Sequence, residues 1–170
     1  MIEFMVIAAP RSGTTWASNW LTTDTTICLH DPLYKMHYSD IDNFRTTKCL
    51  GISCTGIAYF HRWLNNHPAR KVILHRDKAE IDDSLCSIGM PPMDEIYFSY
   101  MKALGGVHVN WRDIFDNPRY IYEYLLNIPF DEERHRLLLG IEMQPDFEGL
   151  TINKGVTSRL IREVMTIRGV

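Results

Sequence analysis

The sequence lacks several features that define particular classes of protein. It has no run of about 18 uninterrupted apolar residues, so no membrane span is expected. Its first residues lack the basic start and long apolar core of a signal peptide. The four cysteines show no C-x-x-C spacing and lie in apolar contexts, which favours reduced thiols over disulfide bridges. These absences predict a cytoplasmic protein without a membrane partner.

The sequence also has no excess of positive charge. Its 18 Lys and Arg residues against 21 Asp and Glu residues give a net charge of −3, which argues against a nucleic-acid partner. No HExxH or C-x-x-C pattern occurs, so no metal site is expected. There are no repeats, low-complexity segments or linkers, and 170 residues suffice for a sizeable core. A single domain over 1–170 is therefore predicted.

Apolar, strand-like runs alternate with helical patterns along the chain, which is typical of an α/β fold with a parallel sheet. Strands are predicted at 4–7, 26–29, 48–53, 71–75 and 107–111. Helices are predicted after the first strand, after Gly56, from the D-x-x-E pattern that begins at Asp77, at 93–104, 119–127 and 131–139, and around Leu160. In such a doubly wound sheet, the site lies at the carboxyl ends of the strands.

The loop 11–15 separates the first predicted strand from a segment with helical spacing. A strand, a loop of small residues and a helix start direct several backbone N–H groups at one anion. Arg11 adds a positive charge, and three hydroxyl donors come from Ser12, Thr14 and Thr15. A turn that merely caps a helix is the alternative. The coincidence of arginine, glycine and three hydroxyls after a buried strand favours a phosphate site.

The loop departs from the nucleotide-kinase pattern G-x-x-x-x-G-K-[ST]. Thr14 stands where that pattern has lysine, Ala8 stands where it has the first glycine, and the cation lies before Gly13, at Arg11. The segment 10–16 instead resembles the 5′-phosphosulfate loop of sulfotransferases that use 3′-phosphoadenosine 5′-phosphosulfate (PAPS). The resemblance implies that Arg11 neutralises charge on the bridging oxygen as the product PAP leaves. It also implies cofactor binding by Arg11, Ser12, Gly13, Thr14, Thr15 and Trp16.

A second motif, 72–77 followed by Ser84, resembles the 3′-phosphate motif of the same family. Arg76 ends the strand, and Ser84 lies about two turns into the next helix, so a ligand phosphate could bridge them. Alternatively, Arg76 forms a surface ion pair and Ser84 is a small residue where helix meets sheet. A kinase reading, with Asp77 holding Mg²⁺, lacks the loop lysine. Because a sulfuryl group carries less charge than a phosphoryl group, cations and loop amides suffice without metal.

A third stretch, Asn153-Lys154-Gly155, resembles the Arg-Lys-Gly segment that closes over the 3′-phosphate in long cytosolic sulfotransferases. Asn153 departs from the arginine of that pattern, and a turn before the last helix is the alternative. The resemblance implies cofactor binding by Lys154 and Gly155. The segments 107–114 and 128–135 resemble later parts of bacterial and phage-type sulfotransferase domains, so the resemblance extends over most of the chain.

Sulfuryl transfer requires a base that removes the acceptor's proton. In the family, a histidine or carboxylate at the end of an early strand has this role, and His30 and Asp31 stand at the corresponding place. Either side chain could be the base, and a capped turn at His30-Asp31-Pro32 is the alternative. The resemblance therefore implies three catalytic residues: His30, Asp31 and Arg11.

The resemblance implies a parallel-sheet, three-layer α/β fold of the P-loop NTPase-like, sulfotransferase type. The expected activity is transfer of a sulfuryl group from PAPS to a hydroxyl or amine of a small-molecule or glycan acceptor, with release of PAP. A PAP- or PAPS-binding or structural protein that has lost the activity is the second hypothesis, and a P-loop kinase is the third. Acceptor specificity is expected in the loops 33–47 and 89–95, whose composition identifies no particular acceptor.

Overall fold

Five strands form one all-parallel sheet in the order β2-β3-β1-β4-β5. The structure is a computed structural model that describes residues 1–141, 143 and 151–169. The strands are β1 Ile2–Ala8, β2 Thr26–His30, β3 Cys49–Thr55, β4 Arg70–His75 and β5 Val107–Asn110. All five predicted strands are thereby confirmed.

Both faces of the sheet are buried, which explains the uninterrupted apolar run in β1. Side chains alternate between the faces of a strand. Phe4 and Val6 accordingly belong to one core cluster, whereas Met5 and Ile7 belong to another. Each of these four residues is at most 1% exposed.

Helices cover the two faces. They are α1 Thr14–Trp20, α2 His61–Asn66, α3 Lys78–Cys86, α4 Glu95–Lys102, α5 Asp113–Asp116, α6 Pro118–Leu126, α7 Glu132–Leu139 and α8 Lys154–Arg168. The cluster containing Met5 includes Ile81 of α3 and Tyr97 of α4. The cluster containing Phe4 includes Trp20 of α1 and Ile121 of α6. The arrangement is α/β and compatible with three layers, as predicted at that level.

Local differences from the predicted helices have simple causes. The segment after Gly56 begins as a 3₁₀ helix, Ile57–Phe60, before α2. The short helix α5 was not predicted. Asp77 caps α3 by accepting hydrogen bonds from the backbone N–H groups of Ala79 and Glu80. The Glu80 carboxylate pairs with the Arg76 guanidinium and so does not complete a capping box.

The sheet order makes its carboxyl edge the natural place for a site. Because all strands are parallel, their carboxyl ends lie at the same edge. β1 lies between β3 and β4, so the chain leaves it near the point where successive connections diverge. In the described part of the chain, no helix is long and apolar enough to cross a bilayer.

Candidate functional site

A cavity of about 800 Å³ opens at the carboxyl edge of the sheet. Residues at or just after the ends of all five strands line it. Most of the predicted site residues are among them: Arg11, Gly13, Thr14, Thr15, Trp16, His30, Asp31, Arg76 and Ser84. Ser12, Lys154 and Gly155 are not part of the lining. The structure thus brings residues from three separate predicted motifs to one cavity.

The loop between β1 and α1 is tightly curved. Arg11 and Gly13 both have a left-handed backbone, with φ of 64° and 82°. A Cβ at Gly13 would lie 3.0 Å from Ile114 Cδ1, so glycine also satisfies a close approach. The first bond of the helix runs from the Ala17 N–H to the Gly13 carbonyl. Within the described residues, none of the backbone N–H groups of 11–16 has an acceptor, and such groups suit an anion.

The hydroxyls of this loop have different surroundings. Ser12 is fully buried, and its Oγ donates to the Pro10 carbonyl at 3.4 Å. The hydroxyls of Thr14 and Thr15 lie 3.3 and 3.2 Å from His30 Nε2. Ser12 therefore supports the loop, whereas the two threonines face the end of β2.

Arg11 connects the first two motifs. Its Nε donates a hydrogen bond to Ser84 Oγ at 2.9 Å, and its carbonyl accepts one from Arg76 Nη1. These contacts join the loop after β1 to the end of β4 and to α3. Among the described residues, no carboxylate pairs with Arg11, and its two terminal nitrogens make no hydrogen bond. The contact between the two motifs was not expected from the sequence.

Arg76 is held in place from several sides. Its Nε lies 3.0 Å from Glu80 Oε2, and its guanidinium carbon lies 4.5 Å from the centre of the Trp111 ring. The surface ion pair that the sequence analysis gave as the alternative role of Arg76 is therefore present, and Glu80 is the partner. Arg76 still lines the cavity, and its side chain is 18% exposed. Trp111 follows β5, the neighbour of β4, and this adjacency explains the stacking.

His30 and Asp31 form a pair at the end of β2. His30 Nε2 lies 3.3 Å from Asp31 Oδ2. The other oxygen of Asp31 accepts hydrogen bonds from the backbone N–H of Thr55 at 2.5 Å and from its hydroxyl at 3.1 Å. Burial raises the pKa of Asp31, whereas the neighbouring His30 and the Thr55 hydrogen bonds oppose the rise. His30 Nδ1 makes no hydrogen bond with any described residue.

The backbone of Asp31 is strained, which supports a role beyond a simple turn. Its φ of 42° lies in the left-handed region, which non-glycine residues seldom adopt. Its carboxylate also provides no hydrogen bond to the 3₁₀ helix that follows, Pro32–Tyr34. The Asp31 side chain therefore does not cap the turn at 30–32, as the alternative interpretation of this segment required. Thr55, which holds this carboxylate, was missed because its position depends on β3 lying beside β2.

Trp16 both lines the cavity and belongs to the core. It is 6% exposed, and its ring lies 4.8 Å from Phe115 and 5.2 Å from Trp20, between ring centres. Its Nε1 donates to the Leu138 carbonyl at 3.4 Å. The ring is thereby fixed, with its remaining surface towards the cavity.

Lys154 and Gly155 form the first turn of α8. Asn153 caps that helix by accepting hydrogen bonds from the backbone N–H groups of Gly155 and Val156. The Asn153 N–H donates to the Tyr34 carbonyl at 2.8 Å, so the helix starts beside a residue of the cavity wall. Both Lys154 and Gly155 are exposed. A turn therefore does precede the last helix. The closure of Lys154 and Gly155 over a 3′ phosphate stays a prediction.

Within residues 1–141, 143 and 151–169, no group of three or more His, Cys, Asp or Glu side chains is placed to hold a metal ion. The Asp77 carboxylate accepts backbone hydrogen bonds at the start of α3. Neither a scan of the chain against protein-family models nor a search of curated proteins found a match.

Proposed function

We propose that this chain transfers a sulfuryl group from PAPS to a hydroxyl or amine acceptor and releases PAP. One observation carries the proposal: a continuous series of contacts joins the possible base to both anion-binding motifs around a single cavity. His30 lies against Thr14 and Thr15 of the loop. On the far side of the same loop, Arg11 contacts Ser84 and Arg76.

The residues present suit an adenosine nucleotide with anionic groups at both its 5′ and 3′ ends. Among the described residues, the cavity lining contains three cations, Arg11, Arg76 and Lys35, and one carboxylate, Asp31, and Arg76 is also paired with Glu80 outside the lining. Among the described residues, the backbone N–H groups of 11–16 and the terminal nitrogens of Arg11 have no hydrogen-bond partner, and they suit the 5′ end. Arg76 and Ser84 suit the 3′ phosphate. When bound, PAPS supplies the sulfuryl group, whose bond to the bridging phosphate oxygen breaks as the acceptor's oxygen or nitrogen bonds to sulfur.

The chain's cations stabilise the charge that develops on the leaving side. Arg11 is the only cation on the loop between β1 and α1, and Ser84 fixes one edge of its guanidinium. That leaves the two terminal nitrogens to donate to the bridging and terminal oxygens. Donors already in position cost no reorganisation during the reaction, which makes them effective.

The geometry favours His30 as the base and Asp31 as its positioning residue. Nε2 of His30 is engaged by Asp31 and the two threonines, so Nδ1 is the nitrogen that can take the acceptor's proton. A protonated imidazole would then lie 3.3 Å from the Asp31 carboxylate, which stabilises its charge. Thr55 holds that carboxylate in place through its other oxygen.

At the level of the fold, a parallel sheet with a phosphate loop after its central first strand supports a P-loop NTPase-like, sulfotransferase-type architecture. The kinase alternative needs Asp77 as a magnesium ligand. Its carboxylate already caps α3, and the lysine of the kinase loop is absent. The sulfotransferase proposal is therefore the better supported of the two.

Radiolabelled PAPS, incubated with the protein and a panel of hydroxyl and amine acceptors in EDTA, tests the proposal. We expect labelled product and PAP from the wild type. His30→Ala should lose turnover and keep PAP affinity in calorimetry, because His30 acts on the acceptor's proton. The control His108→Ala should keep both, since His108 does not line the cavity.

Three results would contradict the proposal or part of it. PAP binding without labelled product from any acceptor would indicate the inactive binding protein. In a separate titration without EDTA, binding of magnesium and ATP without binding of PAP would indicate a kinase. Full turnover by His30→Ala would transfer the role of base to Asp31.

A further inference from the structure

Two histidines outside the cavity face each other at one edge of the sheet. His75 is the last residue of β4, and His108 lies on β5, the neighbouring edge strand. His108 is paired with Ile73, two residues before His75, so both histidine side chains lie on the same face of the sheet. Neither side chain lines the cavity. The pair is therefore separate from the site already described.

The two imidazole rings meet edge to edge. His75 Nε2 and His108 Nδ1 are 2.7 Å apart, and the ring planes are inclined by 14°. The ring centres are 5.0 Å apart, which is about the largest separation that imidazole geometry allows for nitrogens at that distance. Both nitrogens therefore lie close to the line between the ring centres, and each directs its in-plane lone pair or proton at the other.

The backbone determines which nitrogen of His108 can bind a cation. His108 Nε2 lies 2.8 Å from the Leu104 carbonyl, which can only accept a hydrogen bond. Nε2 therefore carries the proton of the neutral ring, and Nδ1 has a free lone pair. A metal-binding histidine characteristically donates its other N–H to a carbonyl or carboxylate, which orients the ring and raises the basicity of the ligand nitrogen. His108 already has this arrangement.

His75 can provide a second ligand nitrogen. In the neutral pair, its Nε2 donates the proton that His108 Nδ1 accepts. Nδ1 of His75 makes no hydrogen bond with any described residue, so the proton can move to that nitrogen, and Nε2 then presents a lone pair. The two lone pairs then converge on one point between the rings.

A zinc ion fits between these nitrogens after a small movement. Zinc binds imidazole nitrogen at about 2.0–2.1 Å, so two such ligands at a tetrahedral angle are about 3.3 Å apart. The present distance of 2.7 Å must therefore increase by roughly 0.6 Å. Because β5 is an edge strand and His108 is exposed, this side chain can turn without disturbing the core.

The type of ligand selects the class of ion. Imidazole nitrogen suits zinc, copper, nickel and iron, whereas magnesium and calcium prefer oxygen ligands. Lys102, the last residue of α4, is a positive charge close enough to act on His75, and it opposes a bound cation. Two histidine ligands leave coordination positions open for water, unlike the four protein ligands of a structural zinc site.

We infer that His75 and His108 form a binding site for a zinc-like transition-metal ion, with water in the remaining coordination positions. The sequence predicted no metal site, because 33 positions separate the two ligands and no local pattern joins them. The bound ion would link β5 to β4 just before Trp111 and Arg76, which follow these strands and pack on each other. Metal binding would therefore stabilise this edge of the fold. This site is independent of the proposed function.

Isothermal titration calorimetry with zinc chloride, on protein freed of EDTA, tests the site. All proteins carry Cys86→Ser, because Cys86 is an exposed free thiol and a competing zinc ligand. His75→Ala and His108→Ala each remove one ligand. The control His61→Ala removes a histidine whose ring packs on Tyr100, outside both the pair and the cavity lining. Thermal unfolding without metal checks that each variant is folded.

We expect the Cys86→Ser parent and the His61→Ala control to bind one zinc ion with equal affinity. His75→Ala and His108→Ala should bind it at least about tenfold more weakly, since loss of an outer-shell partner alone has an effect of that size. Lys102→Gln should bind zinc more tightly than the parent, because the opposing charge is gone. Zinc should raise the Tm of the parent and leave the Tm of His108→Ala unchanged.

Three results would overturn the inference. The first is the absence of saturable zinc binding by the parent. The second is equal affinity in the parent and both ligand variants, which would indicate an adventitious ion elsewhere on the chain. The third is magnesium binding as tight as zinc binding. PAP binding and turnover are measured in EDTA, where the pair holds no metal, so His108→Ala remains a valid control in the PAPS assay.

Discussion

Replacing Arg11 with alanine should weaken PAP binding more than any other single truncation in the loop. Nε of Arg11 is engaged by Ser84, which leaves two terminal nitrogens for the ligand. A hydrogen bond to a charged group contributes about 1.5–3 kcal/mol. Loss of one such bond predicts at least about a tenfold increase in Kd, and loss of both predicts roughly a hundredfold increase or more. Isothermal titration calorimetry with PAP in EDTA measures the change.

Two further variants make this measurement specific. Arg11→Lys keeps the charge and loses the planar fork, so its affinity should lie between those of the wild type and Arg11→Ala. Arg119→Ala removes an arginine that is 62% exposed and outside the cavity lining, and it should bind PAP like the wild type. The free energy of unfolding should change little in Arg11→Ala. Residue 11 already has a left-handed backbone with a side chain attached, so alanine adds no new backbone strain there. Wild-type PAP affinity in Arg11→Ala would remove Arg11 from the site.

Three other substitutions test separate parts of the account. Gly13 has a φ of 82°, and an added Cβ would lie 3.0 Å from Ile114 Cδ1. Gly13→Ala should therefore lower the free energy of unfolding in urea by about 1–2 kcal/mol and weaken PAP binding. Wild-type stability would refute the argument that this loop requires glycine. Thr55→Val removes a hydrogen bond that lowers the pKa of Asp31, so the acidic limb of the pH profile of kcat/KM should move to higher pH, and an unmoved limb would exclude Asp31 from the titrating pair. His135 is 5% exposed, its ring nitrogens have no well-formed hydrogen bond with the described residues, and the Phe115 backbone only partly offsets the effect of burial, so His135→Phe should stabilise the protein by about 1 kcal/mol. Because burial lowers the pKa of His135, the unfolded chain binds the proton more readily, and the wild type loses stability as the pH falls through about 6.5. The difference in free energy of unfolding between the variant and the wild type, measured in urea, should therefore grow between pH 7 and pH 5. A constant difference would contradict this.

The strands could be predicted because their signal is local. β1 and β4 are buried on both faces, so their sequences are continuous apolar runs bounded by polar or turn residues. The parallel arrangement then places the residues after each strand at one edge. Arg11, His30 and Arg76 could therefore be assigned to a common site before the strand order was known.

The missed features depend on which strands are neighbours. Thr55 reaches Asp31 because β3 pairs with β2, and Trp111 stacks on Arg76 because β5 pairs with β4. The contact from Arg11 to Ser84 joins residues 73 positions apart. No local pattern encodes such pairings. The loops 33–47 and 89–95 were expected at the site, but which of their residues line the cavity, such as Phe44 and Met90, could not be predicted, because the course of these loops depends on the packed core.

The most direct test of the central claim is a crystal structure of the protein with PAP, grown in EDTA. The account predicts the 5′ phosphate within hydrogen-bond distance of the backbone N–H groups of 11–16 and the terminal nitrogens of Arg11. It predicts the 3′ phosphate at Arg76 and Ser84, with His30 facing the space next to the 5′ phosphate. PAP bound elsewhere would contradict it, and so would phosphates that appear only in crystals grown with Mg²⁺ in place of EDTA, with the ion at Asp77.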